Sequence, residues 1–130
     1  MLNKLKKILS TPEWLDNLTT PKNKKASFIL AYEKLIIGFL NVENGKWEFS
    51  YSQDFKSQDE LEPIVDFPDK NKVYVSDELW PFFSSRIPSL NRPSIKEILN
   101  KSNIDSTDIV ELLKLFGQKT IANPYNLQAA

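Results

Sequence analysis

Cysteine and histidine are both absent from the 130 residues, and each absence removes a class of chemistry. Without cysteine there is no disulfide and no thiol chemistry, which fits a reducing compartment. Without histidine the commonest general base and the commonest metal ligand are gone, and with them any Ser-His triad. Glycine occurs only as Gly38, Gly45 and Gly117, too far apart to build a phosphate-cradling loop. A kinase or another nucleotide enzyme does not assemble from such a chain, and we read it as non-enzymatic and free of cofactor. No charge sign dominates: Lys plus Arg and Asp plus Glu each number 17. No global field therefore draws the chain to nucleic acid or to an anionic membrane. No apolar run approaches the roughly 18 residues of a membrane span. The N-terminus carries lysines but no long apolar core and no small-residue cleavage site, so no secretory signal is expected.

What is present is an ordinary globular mix, 41% hydrophobic and 26% charged, long enough for one domain with a real core. Residues 1–25 read as an N-terminal helical extension and linker, residues 26–130 as the domain. From Met1 to Leu18 the apolar Leu2, Leu5, Ile8 and Leu9 alternate with Lys4, Lys6 and Lys7 at helical spacing. Thr11-Pro12-Glu13 supplies a second helix start before Trp14, Leu15 and Leu18. This short basic amphipathic start is read as a helix docked on the domain rather than as a membrane element. Thr19 to Lys25 is polar and contains proline, the composition of a solvated loop.

The domain proper opens with strand signals. Phe28 to Tyr32 and Leu35 to Val42 read as strands joined by a tight Glu33-Lys34 turn, with Gly38 marking a bulge or a close approach. Asn44-Gly45 supplies the positive φ angles of a type I′ hairpin turn. Lys46 to Tyr51 alternates, which puts Trp47, Phe49 and Tyr51 on one face as sheet core. A nucleic-acid stacking platform also presents sheet aromatics, but it needs flanking basic residues, and Glu48 alternates here with Lys46. Gln53 to Glu62 is a polar loop with a little helix. Pro63 to Pro68 has the look of an edge strand. Asp66 and Asp69 read as surface charge, and no metal-ligand spacing is present. Val73 to Val75 is a further strand. Then the chain turns helical: Ser94 with Glu97 forms a capping box before Ile95, Ile98 and Leu99. A last helix starts at Asp105 or Ser106, turns Ile109, Leu112, Leu113 and Phe116 inward and ends at Gly117. Gln118 to Leu127 is an extended tail anchored by Ile121, Tyr125 and Leu127. The fold class expected is α+β: an antiparallel sheet over about residues 28–75, with helices packed on one side.

The densest aromatic cluster lies between Ser76 and Pro93. A short helix from about Glu78 to Arg86 places Leu79, Phe82, Phe83 and Arg86 on one side. Trp80 is rotated off the centre of that stripe. It either closes the core from the side or anchors a partner. We take it as the anchor, with Asp77, Glu78 and Arg86 as a polar rim, because Trp and Arg most often dominate binding energy. On that expectation Trp80→Ala leaves stability nearly unchanged.

The order of these signals resembles the N-terminal subdomain of HipA-type serine/threonine kinase toxins. The matching stretches are Gly38-Phe39-Leu40, Trp47-Glu48-Phe49-Ser50-Tyr51, Pro63 to Pro68, and Phe82-Phe83-Ser84-Ser85-Arg86-Ile87-Pro88, within about residues 26–127. Arg86-Ile87-Pro88-Ser89 replaces the family's Leu-Leu-Pro-acid-Gly, Trp80-Pro81 departs from it, and the kinase core is missing. A separate copy of this subdomain resembles the HipS component of three-part HipB–HipS–HipT systems. The resemblance implies a cytoplasmic, non-catalytic antitoxin that binds and inhibits a HipT-like serine/threonine kinase toxin. A HipB-like helix-turn-helix protein would supply the DNA contact. Two alternatives stand beside it: an accessory or assembly subunit without inhibitory role, and a small enzyme working through carboxylates alone.

Overall fold

The computed structural model describes residues 18–118 and 123–130; the expected helices before Leu18 and the expected anchor Ile121 lie outside them. Three strands follow one another by tight turns: β1 (Lys25–Tyr32), β2 (Leu35–Glu43) and β3 (Lys46–Tyr51). Glu33 takes φ 53° in the first turn. Asn44 at 54° and Gly45 at 76° make the second, the paired positive angles that match the twist of a hairpin. A one-turn helix α1 (Gln53–Lys56) follows, capped by Ser52, whose hydroxyl accepts from Phe55 N. The chain continues through β4 (Tyr74–Ser76), helices α2 (Pro81–Ser84), α3 (Pro93–Ser102) and α4 (Ile109–Phe116), and ends in β5 (Asn126–Ala129). The five strands form one antiparallel sheet in the order β4-β3-β2-β1-β5. The fold is α+β, as the sequence implies.

Strand alternation sorts the sheet into two faces. Phe28 and Leu30, Leu40 and Val42, Trp47, Phe49 and Tyr51, and Leu127 are all buried. They form one continuous core with Leu99 of α3 and with Ile109, Val110, Leu112 and Leu113 of α4. The other face carries the row Gln128–Ile29–Phe39–Ser50, where Phe39 is exposed. Between β1 and β2 the register slips by one residue, Leu30 facing Gly38 while Ala31 faces Ile36. At Gly38 both expected features occur: a Cβ there would stand 2.5 Å from Ser50 O and 2.8 Å from the Phe49 ring.

The residues read as a solvated loop before β1 instead fasten α4. Thr19 N donates to Thr107 O at 2.8 Å, and Ile109 N donates to Thr19 O at 3.2 Å. Trp47 Nε1 donates to Thr20 Oγ1 at 2.9 Å. Lys24 Nζ lies 2.7 Å from Asp108 Oδ2 and 3.2 Å from Glu111 Oε1. Its hydrogen bond to Asp108 raises its pKa. Asp108 Oδ1 accepts in turn from Val110 N and Glu111 N, so the first amides of α4 are all paired. That helix therefore starts three residues after the earliest expected position, at an Asp N-cap that directly precedes the apolar run.

Other expectations change. Residues 63–68 are no strand: Ile64 and Phe67 are buried but joined by a turn, Phe67 N donating to Ile64 O at 2.8 Å. The Ser94 capping box is not made. α3 starts at Pro93 with Arg92 as its cap residue and no side-chain cap bond, because proline at the first position already suits a helix start. Ile98 lies on the exposed side of α3. Gly117 caps α4 as expected, though with right-handed φ −74°, while the left-handed cap is Asn103, φ 54°, after α3. The tail, expected to be merely extended, pairs as β5 with β1 from Phe28–Ala129 to Ala31–Asn126.

The buried Tyr51 hydroxyl holds the 57–73 connection to the sheet. It donates to Phe67 O at 2.6 Å and accepts from Ile64 N at 2.9 Å. Burial pushes this phenol up to about 12. The folded state then holds a proton that the unfolded chain releases near pH 10, so the associated stability is present below that pH and declines as pH rises toward 12. Tyr51→Phe orphans two buried backbone groups and should cost about 2 kcal/mol at pH 7 in urea titrations. The variant should also lose part of the wild type's alkaline decline.

Candidate functional site

The surface around Trp80 is built from the end of β4 and the start of α2. Ser76 Oγ accepts from Glu78 N at 3.1 Å, which turns the chain out of the sheet and leaves Asp77 and Glu78 exposed. Asp77 pairs with Lys46 on β3, an exposed pair of small energetic weight. Leu79 is buried. The helix is shorter than the expected Glu78–Arg86 span, because Trp80 is in extended geometry, φ −67° and ψ 147°, and acts as the cap residue before Pro81. Trp80 has no side-chain acceptor to offer the helix start. Asp66 from the preceding connection takes that part, its Oδ2 accepting from Phe82 N at 3.3 Å, a carboxylate at the positive end of a helical turn. Asp66 is thus more than the surface charge the sequence suggests. Its signal was long range and invisible to local pattern.

Trp80 is half-buried. Its ring meets Phe67 edge-on, centroids 4.9 Å apart at 81°, and packs against the core. It therefore both closes the core from the side and keeps part of its indole open. The expectation that Trp80→Ala leaves stability untouched is corrected by this contact. Asp77 and Glu78 sit beside it in sequence and are exposed, as a rim requires.

Arg86 does not belong to that rim. It is only 4% exposed. Its Nη1 donates to Gly117 O at 3.0 Å and its Nη2 to Asn123 Oδ1 at 3.0 Å. The guanidinium lies over the Phe82 ring at 5.6 Å. It shares the inward stripe with Leu79 and Phe83 and meets the carbonyl end of α4, where the helix dipole favours a cation. Burial draws its pKa down to about 10, so the charge persists at neutral pH. Arg86 ties α2, α4 and the chain before β5 together.

With this geometry in view, the comparisons with known proteins place the chain. A family model described as HipA N-terminal domain matches residues 29–122, and the chain belongs to that family. A solved structure titled "N-terminal domain of HipA toxin" shares the fold: 18% identity, TM-score 0.54, covering 81% of this chain and 92% of that one. No curated protein matches. The sequence-level resemblance to this family is therefore correct. Among the described residues no helix is long and apolar enough to cross a membrane.

Three substitutions separate the roles. Phe83→Ala removes a fully buried ring and should cost roughly 3–5 kcal/mol. Trp80→Ala loses one edge contact and part of its burial, and should cost about 1–2 kcal/mol. Arg86→Met keeps the apolar stem but orphans two acceptors, and should cost about 1–3 kcal/mol. Urea midpoints measured at constant slope check all three.

Proposed function

We propose that this chain is an antitoxin-type, non-catalytic subunit that binds a HipT-like serine/threonine kinase toxin in the cytoplasm and inhibits it. A HipB-like helix-turn-helix protein completes the assembly and makes the DNA contact. Membership of the HipA N-terminal domain family supports the kinase-toxin context. The observation that carries the binding role is the partly open indole of Trp80, held rigidly on Phe67 and bordered by the exposed Asp77 and Glu78. A large aromatic with few rotamers to freeze is the kind of side chain that anchors an interface. Arg86 has no place in this contact; its effect on binding runs through the fold.

The test combines a phosphorylation assay and a binding measurement with a kinase of this class lacking the subdomain. The chain should bind it and stop phosphorylation. Trp80→Ala should weaken binding by about 2 kcal/mol or more per folded molecule. Binding without loss of kinase activity would identify an accessory subunit instead, and unchanged affinity for Trp80→Ala would remove Trp80 from the interface. Calorimetric titration of the isolated chain with Mg-ATP should give no binding heat, in keeping with the missing phosphate loop. A saturable signal would overturn the non-catalytic reading.

A further inference from the structure

Beside the Asp66 cap lies a cleft of about 350 Å³, whose lining does not include Trp80. Its floor and walls are Pro63, Ile64, Phe82 and Tyr125, with Val65 on the lip and Glu62 and Asp66 at the rim. Two properties set it apart. Val65 is 92% exposed, an apolar side chain with nothing over it. The connection that forms the cleft, residues 57–69, carries Asp59, Glu60, Glu62, Asp66 and Asp69 with no lysine or arginine between them. Of these, Asp59 faces Lys70 at 3.9 Å, while Glu62 and Asp66 form no ion pair among the described residues. The nearby cation Arg86 is buried behind Phe82 with its amino groups turned to Gly117 and Asn123.

From this we infer that the cleft is a second docking site, for a basic protein segment that inserts one apolar side chain between Val65, Phe82 and Tyr125 and lays flanking Lys or Arg residues against Glu62 and Asp66. An apolar slot selects an aliphatic or aromatic anchor. A rim of one sign selects the opposite charge around it and excludes nucleic acid and acidic peptides. The site does not depend on the kinase reading, because it uses neither the Trp80 indole nor the residues bordering it. Phe82 is rigid enough to serve as a wall: it meets Phe83 at 5.1 Å and Tyr125 at 5.9 Å.

The probe is a capped synthetic pentapeptide, Arg-Lys-Leu-Lys-Arg, titrated into the whole labelled chain and followed by amide and methyl NMR. Saturable shifts should concentrate at Ile64, Val65, Phe82 and Tyr125 and weaken with added salt. Replacing the central leucine by glycine should lower affinity about tenfold. In the protein, Glu62→Lys and Val65→Ser should each weaken binding about tenfold while leaving thermal unfolding unchanged, since both side chains are exposed. The inference is overturned if no shifts occur, or if the glycine peptide binds equally well. It is overturned equally if an acidic pentapeptide around the same leucine shifts the same residues. Concentration-dependent shifts at the cleft without peptide would assign it to a second copy of the chain, and would also overturn it.

Discussion

The burial of Phe67 is the constraint on which the rest of this surface depends. Its ring stacks on Phe49 of the sheet at 4.3 Å and 24°. It meets Tyr74 at 5.1 Å and Trp80 at 4.9 Å edge-on, and Phe83 at 6.0 Å. Its carbonyl accepts the buried Tyr51 hydroxyl. One side chain thus joins β3, β4 and α2 through the connection between α1 and β4. That connection has no regular ladder to satisfy its backbone, so ring packing and the Tyr51 hydroxyl do the work that strand pairing does elsewhere. Once Phe67 is seated, Asp66 falls at the start of α2, and the cleft bounded by Glu62 and Val65 forms beside it.

The energetic weight of this arrangement lies in packing rather than in charge. The ion pair Lys46–Asp77 is largely exposed and contributes little. The polar contacts that matter are the sheltered ones: Tyr51 to Phe67 and Ile64, Asp108 to the first amides of α4, and Arg86 to Gly117 and Asn123. Apart from the Asn123 side-chain oxygen, each acceptor or donor satisfied here is a backbone group at a helix end or in an irregular segment, where an unpaired group costs most. Two aromatic surfaces result that share a scaffold and differ in character. Trp80 offers a partly open ring beside exposed Asp77 and Glu78; the cleft offers an apolar slot within a uniformly acidic rim.

Local sequence rules determined the hairpins, the inward aromatics of β3 and the apolar stripe of α4. They did so because strand alternation, Asn-Gly turns and helical periodicity are set within a few residues of one another. The tertiary structure alone decided what residues 63–68, Arg86, Asp66 and the tail would be. Pro63 to Pro68 reads as a strand by composition, but its backbone is spent on a turn and on Tyr51. Arg86 reads as a rim residue by type, yet the carbonyl end of α4 draws it inward, 31 residues away in sequence. Asp66 becomes a helix cap across 16 residues, and the tail becomes a strand because β1 has an edge to fill. In each case the deciding partner is distant along the chain, and no spacing rule within the segment can carry that information.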